Sequence, residues 1–374
     1  MSSSWGNYLK ISIFGESHGP RIGVVIDGLP AGLAIDRGAL SAFMLRRAPG
    51  RSKTSTPRRE SDEPEFLSGY YKGMTTGTPL AAAIRNSDTH SSDYAEFSSV
   101  ARPGHADYTG FLRYEGYNDI RGGGHFSGRL TAPLVFAGGI AKQLLEREGI
   151  FIGAHLARAA GISDTPYDPV HLGEEMLRRA GLRDFPTNDE AAGIMMQDAI
   201  EEARMALDSV GGVVECGVIG FPAGIGSPMF DGLENRMASL LFGIPAVKGV
   251  EFGDGFTAAD LRGSQHNDAF AIRGGAIVTE TNHAGGILGG ISSGMPVIVR
   301  AAFKPTASIA QTQQSVDFIE HTQGNLNIRG RHDPCVAVRA VPVVEAAVAI
   351  AAADALIEAR GYEGLQRPWG PEEE

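Results

Sequence analysis

The stretch Val24-Val25-Ile26-Asp27-Gly28-Leu29-Pro30-Ala31-Gly32 is echoed later in the chain by Cys216-Gly217-Val218-Ile219-Gly220-Phe221-Pro222-Ala223-Gly224. Two further pairs follow in the same order. Gly73-Met74-Thr75-Thr76-Gly77-Thr78-Pro79-Leu80 matches Gly290-Ile291-Ser292-Ser293-Gly294-Met295-Pro296-Val297, and Arg129-Leu130-Thr131-Ala132-Pro133-Leu134-Val135 loosely matches Arg339-Ala340-Val341-Pro342-Val343-Val344. One short match would be chance, whereas three in order imply an internal repeat. The halves run over approximately 1–150 and 206–361, with an insert at 151–205, and the whole of 1–374 reads as one two-halved domain.

Local patterning within the first half fits this repeat. Leu9, Ile11 and Ile13 alternate with Lys10 and Ser12, the period of a strand, and a second strand is expected over Ile22–Ile26 after a glycine-rich turn. Asp36 is placed to cap a helix whose apolar face is Leu40, Phe43 and Met44. A third strand is expected at Leu80–Ile84. A helix follows near Arg129–Arg147, and its counterpart in the second half is expected from about Val341 to Arg360. Short glycine-containing connections imply antiparallel pairing. The fold class expected is α+β: two pseudo-repeated halves, with helices packed against antiparallel sheets.

Composition narrows the function. The chain has 374 residues, 43% hydrophobic and 21% charged, with a net charge of −11. That balance suits a soluble globular protein and disfavours one that grips nucleic acid with its whole surface. Glycine, at 50 residues, is well above the usual share of about 7%, which points to many tight loops where backbone comes close to a neighbour or ligand. Cys216 and Cys335 are too few for a disulfide scaffold and read as reduced thiols. Residues 1–10 carry no secretory pattern, and the apolar runs Leu130–Ala141 and Ala346–Ala353 are short for a membrane span. A cytoplasmic protein with no membrane partner is expected.

Two stretches resist the repeat pattern. Arg46–Arg59 reads as a basic loop carrying Arg46, Arg47, Arg51, Lys53, Arg58 and Arg59 without an acid. Asn86–Gly128 reads as a long loop, and loops of that length are usually functional or disordered. Histidines sit among glycines in four clusters: Gly15-Glu16-Ser17-His18-Gly19, Arg102-Pro103-Gly104-His105-Ala106-Asp107, Arg121–Arg129 around His125, and Arg329-Gly330-Arg331-His332-Asp333-Pro334. The first contains Gly-x-Ser-x-Gly, but between two strands, whereas a nucleophile elbow joins strand to helix. There is no His-Glu-x-x-His and no P-loop motif. Gly122–Gly124 could turn backbone N–H groups toward a phosphate, and Lys304-Pro305-Thr306-Ala307-Ser308 offers an ammonium and two hydroxyls to an anion. Arginine forks and imidazoles on an acidic body suit a small, multiply anionic metabolite. A phosphate lyase or isomerase without a cofactor fits these residues. An RNA-binding module on Arg46–Arg59 fits poorly, because that stretch has no aromatic residue for stacking.

Across these same residues the sequence resembles the chorismate synthase family. The resemblance rests on the Gly15–Pro30, Arg121–Gly138 and Arg331–Ala347 blocks, on Arg102–Asp107, on Asn282–Gly290 and on Lys304–Ser308, and it spans Trp5 to about Arg360. It implies conversion of 5-enolpyruvylshikimate 3-phosphate to chorismate and phosphate, an anti-1,4-elimination that requires reduced FMN (FMNH2) without net redox change. It also implies a homotetramer, an external flavin reductant and a sandwich of helices between antiparallel sheets. Residue by residue, His18 matches a proton donor near the departing phosphate, and His105 the histidine that protonates the reduced flavin. Ser17 and Asp333 match polar residues that tune proton movement. His125, Phe126, Ser127, Ala246, Gly289, Lys304, Pro305, Thr306, Ala307, Ser308 and Arg331 fall at flavin-contact positions, and Arg47, Lys53 and Arg129 at substrate or NADP positions. Three residues depart from the family pattern. His125 stands where an Arg opens the Arg-x-Ser-Ala-Arg segment, Lys53 replaces an Arg fork by a point charge, and Pro245 replaces a common Asn.

Overall fold

The computed structural model describes residues 3–49, 62–87, 99–328 and 332–361. Lys53 and Arg331 lie outside them, as does the basic stretch beyond Arg47 that was expected as a loop. The alternation around Ile11 produces strand β2 (Lys10–Gly15), which pairs antiparallel with β3 (Arg21–Asp27), where Ile22, Val24 and Ile26 are buried. With β1 (Ser4–Trp5), β4 (Pro64–Ser68) and β5 (Leu80–Arg85) they form one sheet of order β1-β2-β3-β5-β4. A second antiparallel sheet contains β6 (Phe151–Ala159), β7 (Ile162–Ser163), β8 (Gly212–Ile219), β9 (Val247–Phe252) and β10 (Val297–Phe303), in the order β9-β10-β8-β6-β7. The run β2-β3-β5-β4 is therefore repeated as β6-β8-β10-β9.

Helices fill the space between the sheets. Helix α1 (Arg37–Arg47) starts where Asp36 accepts a hydrogen bond from the Ala39 N–H at 2.9 Å, and it buries Leu40, Phe43 and Met44 as their spacing requires. Its counterpart is α3 (Leu233–Gly243). Helix α2 (Thr131–Arg147) lies on the first sheet, α4 (Ala337–Arg360) on the second, and the two pack on each other. Their axes come so close that a methyl group at Gly138 would lie 2.2 Å from the Cβ of Ala346, an overlap that excludes any side chain there. Helix α4 is apolar all round, long and apolar enough by composition to cross a membrane, yet its most apolar window is wholly buried inside the protein. A helix without a polar face is what the centre of a three-layer sandwich needs.

Several expectations shift. Arg46 and Arg47 are the last turn of α1 and not part of a loop; their charges sit at the negative end of the helix dipole. Helix α4 begins at Ala337, one turn before the expected start, and carries Pro342 inside it. Pro342 lies just past the first turn, so it removes one intrahelical hydrogen bond, to the Val338 carbonyl. Within Asn86–Gly128, the segment Asp107–Tyr114 is a helix, and 3-10 turns occupy Arg121–Phe126 and Gly128–Leu130. Residues 151–159, expected in the insert, form β6 of the second sheet.

Candidate active site

The turn Gly15–Gly19 joins β2 to β3, as a strand-to-strand connection must, and Asn86 at the end of β5 clamps it. The Asn86 Nδ2 donates to the carbonyls of Glu16 (3.0 Å) and Gly19 (2.8 Å). The Ser17 N–H donates to the Gly124 carbonyl at 3.1 Å, so this turn is stitched to the triple-glycine turn. Gly122, Gly123 and Gly124 all take positive φ. A Cβ at Gly122 would fall 2.4 Å from Cδ2 and 2.6 Å from Nε2 of His18, and one at Gly124 would fall 1.9 Å from the Asp119 carbonyl oxygen. These glycines thus let backbone close against the imidazole. Ser17 is fully buried, and its hydroxyl has no hydrogen-bond partner among the described residues; the same holds for Oε2 of Glu16. Burial raises the Glu16 carboxyl above the ordinary range; Asp119 adds to the shift, and His125 and Arg121 oppose it.

His105 approaches from the other side. Its loop is fixed by Arg102, whose N–H, Nε and Nη2 donate to the Asp107 carboxylate at 2.9, 2.8 and 2.7 Å. The His105 Nε2 meets the Ser308 hydroxyl at 2.8 Å. The residue as a whole remains exposed to solvent, but its ring nitrogen points inward. Desolvation, with Arg102, His332 and Lys304 nearby, holds the imidazole below its usual pKa against the pull of Asp107, so it is neutral at pH 7. His105 lines a shallow cleft together with Asn118, Asp119, Gly123 and Phe126. The Asn118 Oδ1 is buried and has no hydrogen-bond partner among the described residues.

A hydrogen-bonded chain runs from Asn86 through Arg129, Arg47 and Arg339 to Thr306. Asp62, 2% exposed, accepts from Nη1 of Arg47 through one oxygen and from Nη1 of Arg129 through the other. Arg47 also donates to Thr131 Oγ1 (3.0 Å) and the Gly128 carbonyl (3.3 Å), and Arg129 donates to Asn86 Oδ1 (3.0 Å) and the Arg85 carbonyl (3.3 Å). Arg339 joins the Arg47 carbonyl (2.9 Å) to the Asp333 carboxylate (2.6 Å), and the Asp333 carbonyl accepts from Thr306 Oγ1 at 2.7 Å. Among the described residues, three guanidiniums thus converge on the carboxylates of Asp62 and Asp333. Burial, with Arg339 and Arg129 nearby, brings Arg47 down to about 10 despite Asp62, still charged at any working pH.

The other expected residues are placed as follows. His125 uses both ring nitrogens inside the protein, Nδ1 on the Gly15 carbonyl and Nε2 on Ser3 Oγ, each at 2.8 Å. Ser127 caps the 3-10 turn that presents Arg129. The Lys304 ammonium donates to the Gly104 carbonyl beside His105, and its own N–H donates to the Ala246 carbonyl at 3.0 Å. A Cβ at Gly104 would touch Ala307 at 3.1 Å, which puts the Lys304–Ser308 segment against the His105 loop; Pro305 is exposed. Gly289 lies apart, at the tip of the hairpin Ile287–Leu288/Ile291–Ser292, beside the start of α3, where Leu233 bonds Gly290. Sequence reasoning did not single out Asp62, Asn86, Thr131 or Asn118. Each is one polar residue in an unremarkable context, and only the fold shows that Asp62 and Thr131 are buried and that Asn86 and Asn118 are half-buried.

The family model for chorismate synthase matches residues 9–357. The chain belongs to that family. The chorismate synthase of Thermococcus kodakarensis is 48% identical over 362 residues, covering 97% of this chain and 99% of its own length. That of a Dehalococcoides mccartyi strain is 47% identical over 359 residues, covering 96% and 98%. A crystal structure of chorismate synthase superposes with a TM-score of 0.76 at 28% identity, covering 96% of each chain. The α+β sandwich is therefore the family's fold, and the chain is an enzyme of the lyase class, of the shikimate pathway and aromatic amino acid biosynthesis.

Proposed function

We propose that the chain converts 5-enolpyruvylshikimate 3-phosphate to chorismate and phosphate by anti-1,4-elimination, with reduced FMN required and no net redox change. One observation carries this reading: hydrogen bonds link the His18 turn to a cluster of buried arginines, and the His105 loop lines a cleft that Gly123 of the adjoining glycine turn also lines. An anionic substrate is drawn to guanidiniums held in such a cluster. His18, 8% exposed against Gly122, is positioned to hold a proton for the departing phosphate. Neutral His105 moves a proton with Ser308 as its neighbour, and Ser17, whose hydroxyl has no hydrogen-bond partner among the described residues, is available to a ligand atom. Asp333 is held by Arg339 and steadies Thr306 through its carbonyl.

The residues fit a flavin. Phe126, 42% exposed, offers a ring face at the cleft, Asn118 an unpaired acceptor, and Lys304, Thr306 and Ser308 an ammonium and hydroxyls for a polar edge or phosphate. When bound in reduced form, the cofactor supplies the electron density that helps phosphate leave. Ala246, Pro305, Ala307, Gly289, Ser127 and Arg331 complete the proposed flavin positions, with His125 bracing the Gly15 turn instead, and Arg47, Lys53 and Arg129 the proposed substrate positions. An external reductant supplies the reduced flavin, and the working enzyme is a cytoplasmic homotetramer. The deciding experiment is an anaerobic assay with dithionite-reduced FMN and the substrate, counting phosphate against reductant. Many phosphates per flavin with no stoichiometric consumption of dithionite is expected. One equivalent of reductant consumed per product would overturn a redox-neutral elimination, and full turnover without flavin would return the site to a cofactor-independent lyase.

A further inference from the structure

Asp62 is the least expected member of the site. Its carboxylate is buried and shared between Arg47 and Arg129, one oxygen to each. It takes the left-handed backbone region, φ 52°, which a residue with a Cβ seldom occupies unless its surroundings demand it. The arginines it bridges also donate to neutral acceptors: Thr131, Gly128, Asn86 and Arg85. From Arg129 the chain of bonds continues through Asn86 to the carbonyls of Glu16 and Gly19, which flank Ser17 and His18. One carboxylate thus sets the direction of two guanidiniums and, two bonds further on, the seat of the His18 turn.

We propose that Asp62 is a positioning residue for the elimination. It fixes Arg47 and Arg129 in register with the His18 turn, where their guanidiniums hold the anionic substrate. The proposal rests on the reading of Arg47 and Arg129 as the substrate's arginines. Losing the Asp62 charge makes the cluster more positive, so ground-state attraction for an anion persists while geometric order is lost. Displacements on the order of 1 Å at such supports cost roughly 10²-fold in rate.

The test uses the full-length enzyme with reduced FMN and the substrate, comparing Asp62→Asn, which keeps the shape, with Asp62→Glu, which keeps the charge. Asp62→Asn is expected to lower kcat about 100-fold with KM unchanged or lower, and with the far-UV circular dichroism of the wild type. Asp62→Glu is expected to recover part of that loss, and it carries the test if the Asn variant does not fold. A merely structural role predicts otherwise, with KM rising and kcat and Tm falling together. That pattern, or a kcat within threefold of wild type in folded Asp62→Asn, overturns the proposal. Arg47→Lys and Arg129→Lys separate the two levels. If both leave kcat and KM untouched, the reading of the arginines fails and takes the proposal with it. If they raise KM while Asp62→Asn keeps wild-type kcat, only the positioning role fails.

Discussion

His18 sits where two glycine-rich turns meet, and the backbone at Gly122 packs directly against its ring. His105 is fixed differently, by the Arg102–Asp107 clamp and Ser308. Replacing either by Ala is expected to lower kcat by roughly 10²–10⁴, the usual range for a positioned acid or base, in steady-state phosphate release. Unchanged kcat in both would leave them as packing residues. His125 is a different case. Both its nitrogens bond within the protein, to Gly15 and Ser3, so the structure gives it a part in holding the turn and shows no nitrogen turned to a ligand. Accordingly, His125→Ala should lower kcat about tenfold, consistent with loss of about one to two hydrogen bonds. The Kd for reduced FMN, measured by anaerobic titration, should meanwhile stay within about threefold of wild type, a free-energy change under about 1 kcal/mol. A Kd raised tenfold with kcat intact would instead mark it as a flavin contact. The histidine clusters were visible in the sequence because imidazoles beside glycines are conspicuous. Asp62 was not, because Glu60-Ser61-Asp62-Glu63 reads as a solvated acidic run, and nothing local says that its third residue turns inward.

At the scale of elements, the repeat was legible because both halves need the same strand-turn chemistry, Gly-x-Pro-x-Gly after a buried strand, whatever their other residues. The antiparallel pairing and the Asp36 cap were legible for similar reasons of local stereochemistry. Boundaries were less so. The start of α4 was misjudged because proline usually opens a helix, and β6 was missed because Phe151–Ala159 carries His155 and Arg158 in place of a clean alternation. His155 explains itself in the structure: it is fully buried, with Nδ1 on Asp164 at 2.7 Å and Nε2 on Glu215 at 2.9 Å. Burial opposes its charge, but the hydrogen bonds and charges of the two carboxylates prevail and raise its pKa. With the folded pKa above the unfolded one, its contribution to stability is complete below about pH 6.5 and is lost as pH rises through the folded value. Asp164 and Glu215 are shifted down, so their contribution is present above about pH 4 and lost as pH falls through their folded values. Wild-type Tm should therefore decline as pH rises above about 6.5. In His155→Gln that decline should be flattened and stability at pH 6 lower by about 3–5 kcal/mol, the cost of breaking a buried pair. Parallel Tm profiles in the two proteins would assign the pH dependence to other groups.

The whole molecule leaves one feature that its own core does not explain. Strands Phe270–Arg273 and Ala276–Thr279 form an isolated hairpin in which Ile272 faces Ile277 across the ladder; Ile272 is 78% exposed, Ile277 71% and Phe270 68%. A two-stranded hairpin is marginal on its own, and several large apolar side chains gathered on one are more than the scattered exposure a monomer's surface normally carries. A second copy of the chain is the natural cover in the proposed tetramer, because closed symmetric assemblies bury the same patch on each protomer. Each protomer carries a net charge of −11, so association must overcome like-charge repulsion through apolar contact, and added salt should favour it. Sedimentation should give about four times the 39.5 kDa chain mass, and Ile272→Lys with Ile277→Lys should give smaller species that reassociate little in salt. If the wild type sediments as a single chain, or the double variant keeps the wild-type mass, this hairpin is not what holds the assembly together.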